Sequence, residues 1–195
     1  MWILAIIRIK IGFKYFTFIV FWRKSKLLIL YSTVDGHTKD ICNYIYKKLK
    51  GRKKVSIISV EDSANYDLSD FEEIVIGASV RYGYHRKNVY KFIQQNIEKL
   101  DKVKTAFFSL NLTARKPEKS TPETNPYVIK FLKKVKWEPT VKEVFAGRLD
   151  YPSLDTLNKL AILFIMFITN GPKDTSKTYE PVSYTHLTLP TNREV

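Results

Sequence analysis

Ser32, Thr33, Val34, Asp35, Gly36, His37 and Thr38 place three hydroxyls, a carboxylate, an imidazole and a glycine in one short loop between two apolar segments. The apolar run Leu27–Leu30 that precedes the loop has the length of a buried strand, and a helical pattern opens at Thr38. A strand–loop–helix junction aims backbone N–H groups and the positive end of a helix at one point, which suits a phosphate. Ser32, Thr33 and Thr38 can add hydroxyl donors, and Gly36 permits a tight turn around the anion. The loop has neither the lysine of a triphosphate-binding loop nor the three glycines of a dinucleotide fingerprint. A mononucleotide phosphate remains, with flavin mononucleotide (FMN) first in line; the alternative is an ordinary capped turn.

Two further strand ends carry chemistry of their own. Ala78, Ser79, Val80, Arg81, Tyr82 and Gly83 lead into Tyr84 and His85, so two tyrosines flank a glycine, giving aromatic faces for a flat ring. The alternative is a surface loop whose tyrosines pack on a neighbouring helix. Ser109, Leu110 and Asn111 end another apolar run, and their polar side chains could bond the edge of a ring system or simply cap the loop. His37 and His85 are candidate proton carriers, although a loop histidine is more often merely solvated.

The elements that must position these loops alternate along the 195 residues. Strands are predicted at Leu27–Tyr31, Val55–Val60, Ile74–Ala78, Thr105–Ser109 and Val141–Ala146, apolar on nearly every residue, as parallel strands covered on both faces are. Between them, Ile41, Tyr44, Ile45 and Leu49 form one amphipathic helical face, Val89, Phe92, Ile93, Ile97 and Leu100 a second, and Val128, Phe131, Leu132 and Val135 a third. The pattern predicts a doubly wound α/β sheet with its ligand beyond the carboxyl ends of the strands.

From about Lys26 to Tyr179 the chain resembles the flavodoxin-like, menaquinone-dependent protoporphyrinogen oxidases of Gram-negative bacteria. The likeness lies in Tyr31–Thr38, in Val75–Gly83 and above all in Ser109–Lys119, because Asn-Leu-x-Ala-Arg-Lys-Pro-Glu-Lys has no reason to recur in an electron-carrier flavodoxin. Thr121–Asn125 and Ala146–Pro152 look like the same family. The resemblance implies a flavodoxin-like sheet of five parallel strands in the order 2-1-3-4-5, with an apolar insertion after the fifth. It implies FMN as cofactor, with Ser32–Thr38, Ala78–Gly83 and Ser109–Asn111 as its contacts. The implied reaction is oxidation of protoporphyrinogen IX to protoporphyrin IX in haem synthesis, with electrons passed to menaquinone or ubiquinone. A flavin carries that redox chemistry, so no protein nucleophile and no metal are expected. The two propionates of the substrate call for cations, and Arg81, Arg115, Lys116 and Arg148 all fall at strand-end loops. For each, the alternative is a solvated surface charge.

The net charge of +14, from 33 basic and 19 acidic side chains, argues against a flavodoxin that meets its partners through an acidic rim. It favours anionic partners: tetrapyrrole carboxylates, anionic lipid or nucleic acid. The lysines are scattered and no nucleic-acid-binding module is present, so a nucleic-acid partner is not expected. Leu160–Ile168 is an unbroken apolar run, too short for the roughly 20 residues of a bilayer span. It suits a helix lying at the membrane surface, with Lys159 reaching to water, and hence a peripheral protein on the cytoplasmic face of the bacterial inner membrane. A second-layer core helix and a contact between copies of the chain in a homo-oligomer are the alternatives.

Three segments are expected: an apolar and basic extension at 1–25, a flavin-binding domain at 26–180, and a tail at 181–195. The extension reads as a membrane anchor or an upstream reading-frame extension, since its charges do not follow a signal-peptide pattern. The tail stands where the resemblance places a closing helix, yet it holds two prolines and no helical apolar face, so it looks foreign to the family. Cys42, the lone cysteine, falls near the buried face of the first helix and reads as a small core residue.

Overall fold

The computed structural model describes residues 4–11, 14–21, 25–168 and 171–179. Five parallel strands form the central sheet: β1 Lys26–Ser32, β2 Lys54–Ser59, β3 Glu73–Arg81, β4 Lys104–Asn111 and β5 Val141–Ala146. Their order is 2-1-3-4-5, as expected for a flavodoxin-like sheet.

Side chains one residue apart point to opposite faces of a strand, and β1 divides its apolar run accordingly. Leu28 and Leu30 join Ile74, Ile76 and Phe107 beneath helices α2 (Lys87–Leu100) and α3 (Pro126–Val135). Leu27 and Ile29 join Val75, Phe108, Leu110 and Phe145 on the other face, against Ile41, Cys42, Ile45 and Leu49 of helix α1 (His37–Leu49). The edge strand β2 is half-buried along most of its length. The tail expected at 181–195 lies outside the described residues.

Near the amino terminus, Leu4–Ile11 and Lys14–Phe21 pair antiparallel as a separate two-stranded sheet. After β5, Leu149–Asp150 pairs antiparallel with Thr178–Tyr179, so the chain leaves and re-enters the domain at one place. The excursion between them contains α4 (Thr156–Ile168), which includes the apolar run noted in the sequence. Tyr151, fully buried at its base, donates a 2.6 Å hydrogen bond to the Pro172 carbonyl. Met166, Ile162 and Leu163 pack with Leu149, Leu154 and Tyr151.

Strands β3 and β4 run two or three residues past their apolar cores. The reason is local. Tyr82 (φ 50°) and Gly83 (φ 83°) form a two-residue turn that folds Tyr84–His85 back on β3, pairing Val80 with His85 and Arg81 with Tyr84. Two consecutive left-handed residues match the twist of a tight hairpin, and glycine takes the second without a steric cost.

Candidate functional site

A cavity of about 140 Å³ opens beyond the carboxyl ends of β1, β3, β4 and β5. Thr33, Asp35, His37 and Thr38 line it from the first loop, Ser79, Val80, Arg81 and Tyr82 from the second, and Leu110 and Asn111 from the third. Ser32, Val34, Gly36, Ala78, Gly83 and Ser109 shape these loops without lining the cavity. Ser32 turns its hydroxyl 3.3 Å from Asn88 Oδ1, while Arg86 donates to the Thr33 carbonyl at 3.1 Å and pairs with Glu61 at 2.6 Å. The first loop is thereby held from α2.

Gly36 is the N-cap of α1 at φ 79°, a left-handed conformation that glycine tolerates best. The helix N-terminus it creates leaves backbone N–H groups without intrahelical acceptors, with a positive dipole end behind them. Among the described residues, Thr38 Oγ1 and Ser79 Oγ are buried with no hydrogen-bond partner, and both residues line the cavity. A buried hydroxyl without a partner costs about 1–3 kcal/mol, so two at one cavity mark where a ligand's acceptors fit. Thr38 stands at the helix N-terminus and suits a phosphate; Ser79, at the end of the central strand β3, suits a polar ring edge. The residues present therefore fit FMN.

Cations reach the cavity from two sides. Arg81 makes a 2.8 Å ion pair with Asp35 and lies 5.4 Å from the Tyr82 ring centroid, tying the first loop to the hairpin. Arg148 approaches Asp40 at 3.7 Å. Arg115 and Lys116 do not line the cavity. Arg115 donates to the Leu112 carbonyl at 3.1 Å, and its guanidinium packs against Gly171, on the return from α4.

Both candidate proton carriers are buried, not solvated. His37 Nδ1 accepts the Arg148 backbone N–H at 2.9 Å, and desolvation, reinforced by the Arg148 charge, lowers its pKa to about 4. His85 Nε2 lies 2.9 Å from Ser109 Oγ, the ring packs on Phe107 and Phe131, and burial lowers its pKa to about 3. Both are neutral near pH 7 and serve as fixed hydrogen-bonding groups. Sequence position alone hid this, because the hairpin that buries His85 is invisible to apolar periodicity.

Asn111 caps the loop that follows it while also lining the cavity. Its Oδ1 accepts from the Ala114 N–H at 3.0 Å and from Asn125 Nδ2 at 3.1 Å. Asn125 in turn caps α3 through the Tyr127 and Val128 N–H groups and donates to the Lys119 carbonyl at 2.8 Å. This buried network fixes the loop from 112 to 125.

A fourth wall was foreseen only at Arg148. Leu112, Gly147, Leu149, Asp150, Ser153, Leu154 and Ile162 also line the cavity. The rule that α/β sheets bind ligands beyond their strand ends pointed equally to the end of β5, where the family resemblance at Ala146–Pro152 drew attention to Arg148 alone.

A family model described as "Flavodoxin domain" matches residues 28–176. The protoporphyrinogen IX dehydrogenase (quinone) of Leishmania major is 42% identical over 157 residues, covering 80% of this chain and 68% of that protein. Its counterpart in Escherichia coli K12 is 38% identical over 153 residues, covering 78% and 84%. Among solved structures, a flavoprotein from Lactobacillus acidophilus NCFM in complex with FMN is 18% identical, covering 63% of this chain and 91% of its own, with a TM-score of 0.42. With its matched segment spanning every strand of the sheet and every cavity loop, the chain belongs to the flavodoxin-domain family, among the protoporphyrinogen IX dehydrogenases (quinone).

Proposed function

We propose that this chain binds FMN and oxidises protoporphyrinogen IX to protoporphyrin IX, delivering the electrons to a membrane quinone, menaquinone or ubiquinone, at the cytoplasmic face of a bacterial inner membrane. The observation that carries the cofactor is the pair of unpartnered buried hydroxyls, Thr38 and Ser79, at a helix N-terminus and a strand end of one cavity. The substrate and acceptor are supported by the extent and identity of the match to the relatives that bear that name.

When bound, FMN supplies two-electron acceptance and release, so three cycles remove the six electrons and six hydrogens and leave three quinols. The chain's own residues bind and orient. Thr33, Thr38 and the first N–H groups of α1 hold the phosphate, and Gly36 gives the loop its turn. Ser79 bonds the ring edge, and Tyr82 presents an aromatic face beside it. Arg81 and Arg148 are the cavity-lining cations and receive the propionates; Arg115 and Lys116 lie farther out. Leu110, Leu112, Leu149, Leu154 and Ile162 exclude water from the reacting carbons.

The test is anaerobic turnover of protoporphyrinogen IX with FMN and menaquinone, followed by porphyrin fluorescence. Quinone-dependent porphyrin is expected, and bound flavin without porphyrin overturns the reaction assigned. Gly36→Val tests the phosphate loop: no Cβ contact lies within 4 Å, so its effect comes from backbone strain of about 1–2 kcal/mol. FMN affinity should fall about tenfold, and unchanged affinity refutes the loop assignment.

A further inference from the structure

Helix α4 has two apolar faces with different fates. Ile162 lines the cavity and Met166 is buried beneath the helix. Leu157, Leu160, Phe164 and Phe167, spaced along the other face, are 79%, 60%, 67% and 69% exposed. Isolated apolar side chains on a surface need no explanation, but four large ones on one helical face mark an interaction site. No acidic residue interrupts α4, and Lys173 lays its ammonium 4.9 Å from the Phe167 ring centroid at the edge of the face. Lys159 is half-buried. At the start of the helix, Asn158 accepts a hydrogen bond from the Tyr82 hydroxyl, joining the face to the cavity hairpin. No helix among the described residues is long and apolar enough to cross a membrane.

We infer that the outer face of α4 beds on an anionic phospholipid bilayer, with Leu157, Leu160, Phe164 and Phe167 in the acyl boundary and Lys173 among the headgroups. The choice of lipid over a second copy of the chain rests on two observations and on the function proposed above. The chain carries a net charge of +14, which repels a second copy and attracts anionic lipid. The same helix forms a cavity wall, so seating it places the cavity beside the phase that dissolves a quinone. An interfacial helix of this kind gains from its apolar face and from anionic headgroups together.

The experiment is co-sedimentation of the full chain, loaded with FMN, with vesicles of phosphatidylglycerol and phosphatidylcholine or of phosphatidylcholine alone. Binding is expected with the anionic vesicles and should be weakened about tenfold or more in Phe164→Glu/Phe167→Glu, whose residues lie outside the cavity. Undiminished binding of this variant overturns the assignment and points to the 1–25 segment as the anchor. As a check against misfolding, Phe164→Cys carrying an environment-sensitive dye should shift to the blue on anionic vesicles, and an unshifted spectrum also overturns it. Sedimentation without lipid decides the remaining case: a dimer that Phe164→Glu/Phe167→Glu dissociates assigns the face to a second copy and overturns the lipid assignment. Flavin retention and turnover with a water-soluble quinone analogue report the proposed function separately, so failure of that function is distinguishable from failure of lipid binding.

Discussion

Residues His37 and His85 set the pH range in which this fold is held. Each is desolvated and neutral, with a pKa lowered to about 4 and about 3 respectively. The unfolded chain therefore takes up protons first as the pH falls below the ordinary histidine value of about 6.5. Stability is full above that value and declines as the pH drops toward about 4 for His37 and about 3 for His85. Between pH 7 and 5 the loss should be about 2 kcal/mol for each histidine, read from guanidinium unfolding midpoints. His37→Asn should remove about half of that pH dependence, whereas an unchanged pH slope shows that His37 titrates normally. Neither burial was legible in the sequence. The turn at Gly36 ahead of α1 was, because its glycine and hydroxyls are local; the fate of a histidine depends on which strand end folds over it.

At the scale of the elements, β3 and β4 approach closely at Gly77. Gly77 pairs with Phe108, and a Cβ at Gly77 would fall 2.2 Å from the Phe108 ring, itself held against Phe145 at 5.3 Å between centroids. A glycine in a central strand weakens it unless a neighbour needs the space, and here an aromatic ring occupies it. Gly77→Ala should cost about 1–3 kcal/mol through overpacking, seen as a lower Tm. Adding Phe108→Leu should recover part of that loss; strict additivity of the two changes would show that the contact does not limit the strand. The five strands were legible as short, nearly continuous apolar runs, and the first three helices by a sustained apolar period of about 3.6 residues. The Tyr82–Gly83 turn and the strand pair at the base of the α4 excursion were not, since a two-residue strand has no period to read. The same blindness explains why Arg115 looked like a cavity cation: its loop neighbours are cavity residues, but its guanidinium turns toward Gly171.

At the scale of the whole molecule, the lipid docking proposed above draws on charge and apolar surface together. At low salt the +14 charge reaches over a Debye length of about 10 Å at 0.1 M, shrinking to about 3 Å at 1 M. Binding to phosphatidylglycerol vesicles should therefore weaken several-fold between those salt concentrations without vanishing, since the exposed face of α4 is insensitive to screening. Complete release at 1 M would leave charge alone as the cause. The sheet and the excursion also differ in what they owe to each other. Pairing of Leu149–Asp150 with Thr178–Tyr179, braced by the 2.6 Å bond from Tyr151 to Pro172, closes the excursion at its base. A segment whose two ends already touch can be gained, lost or exchanged without renumbering a single strand of the domain beneath it. Descent can thus rework α4 while the loops at the strand ends stay as inherited.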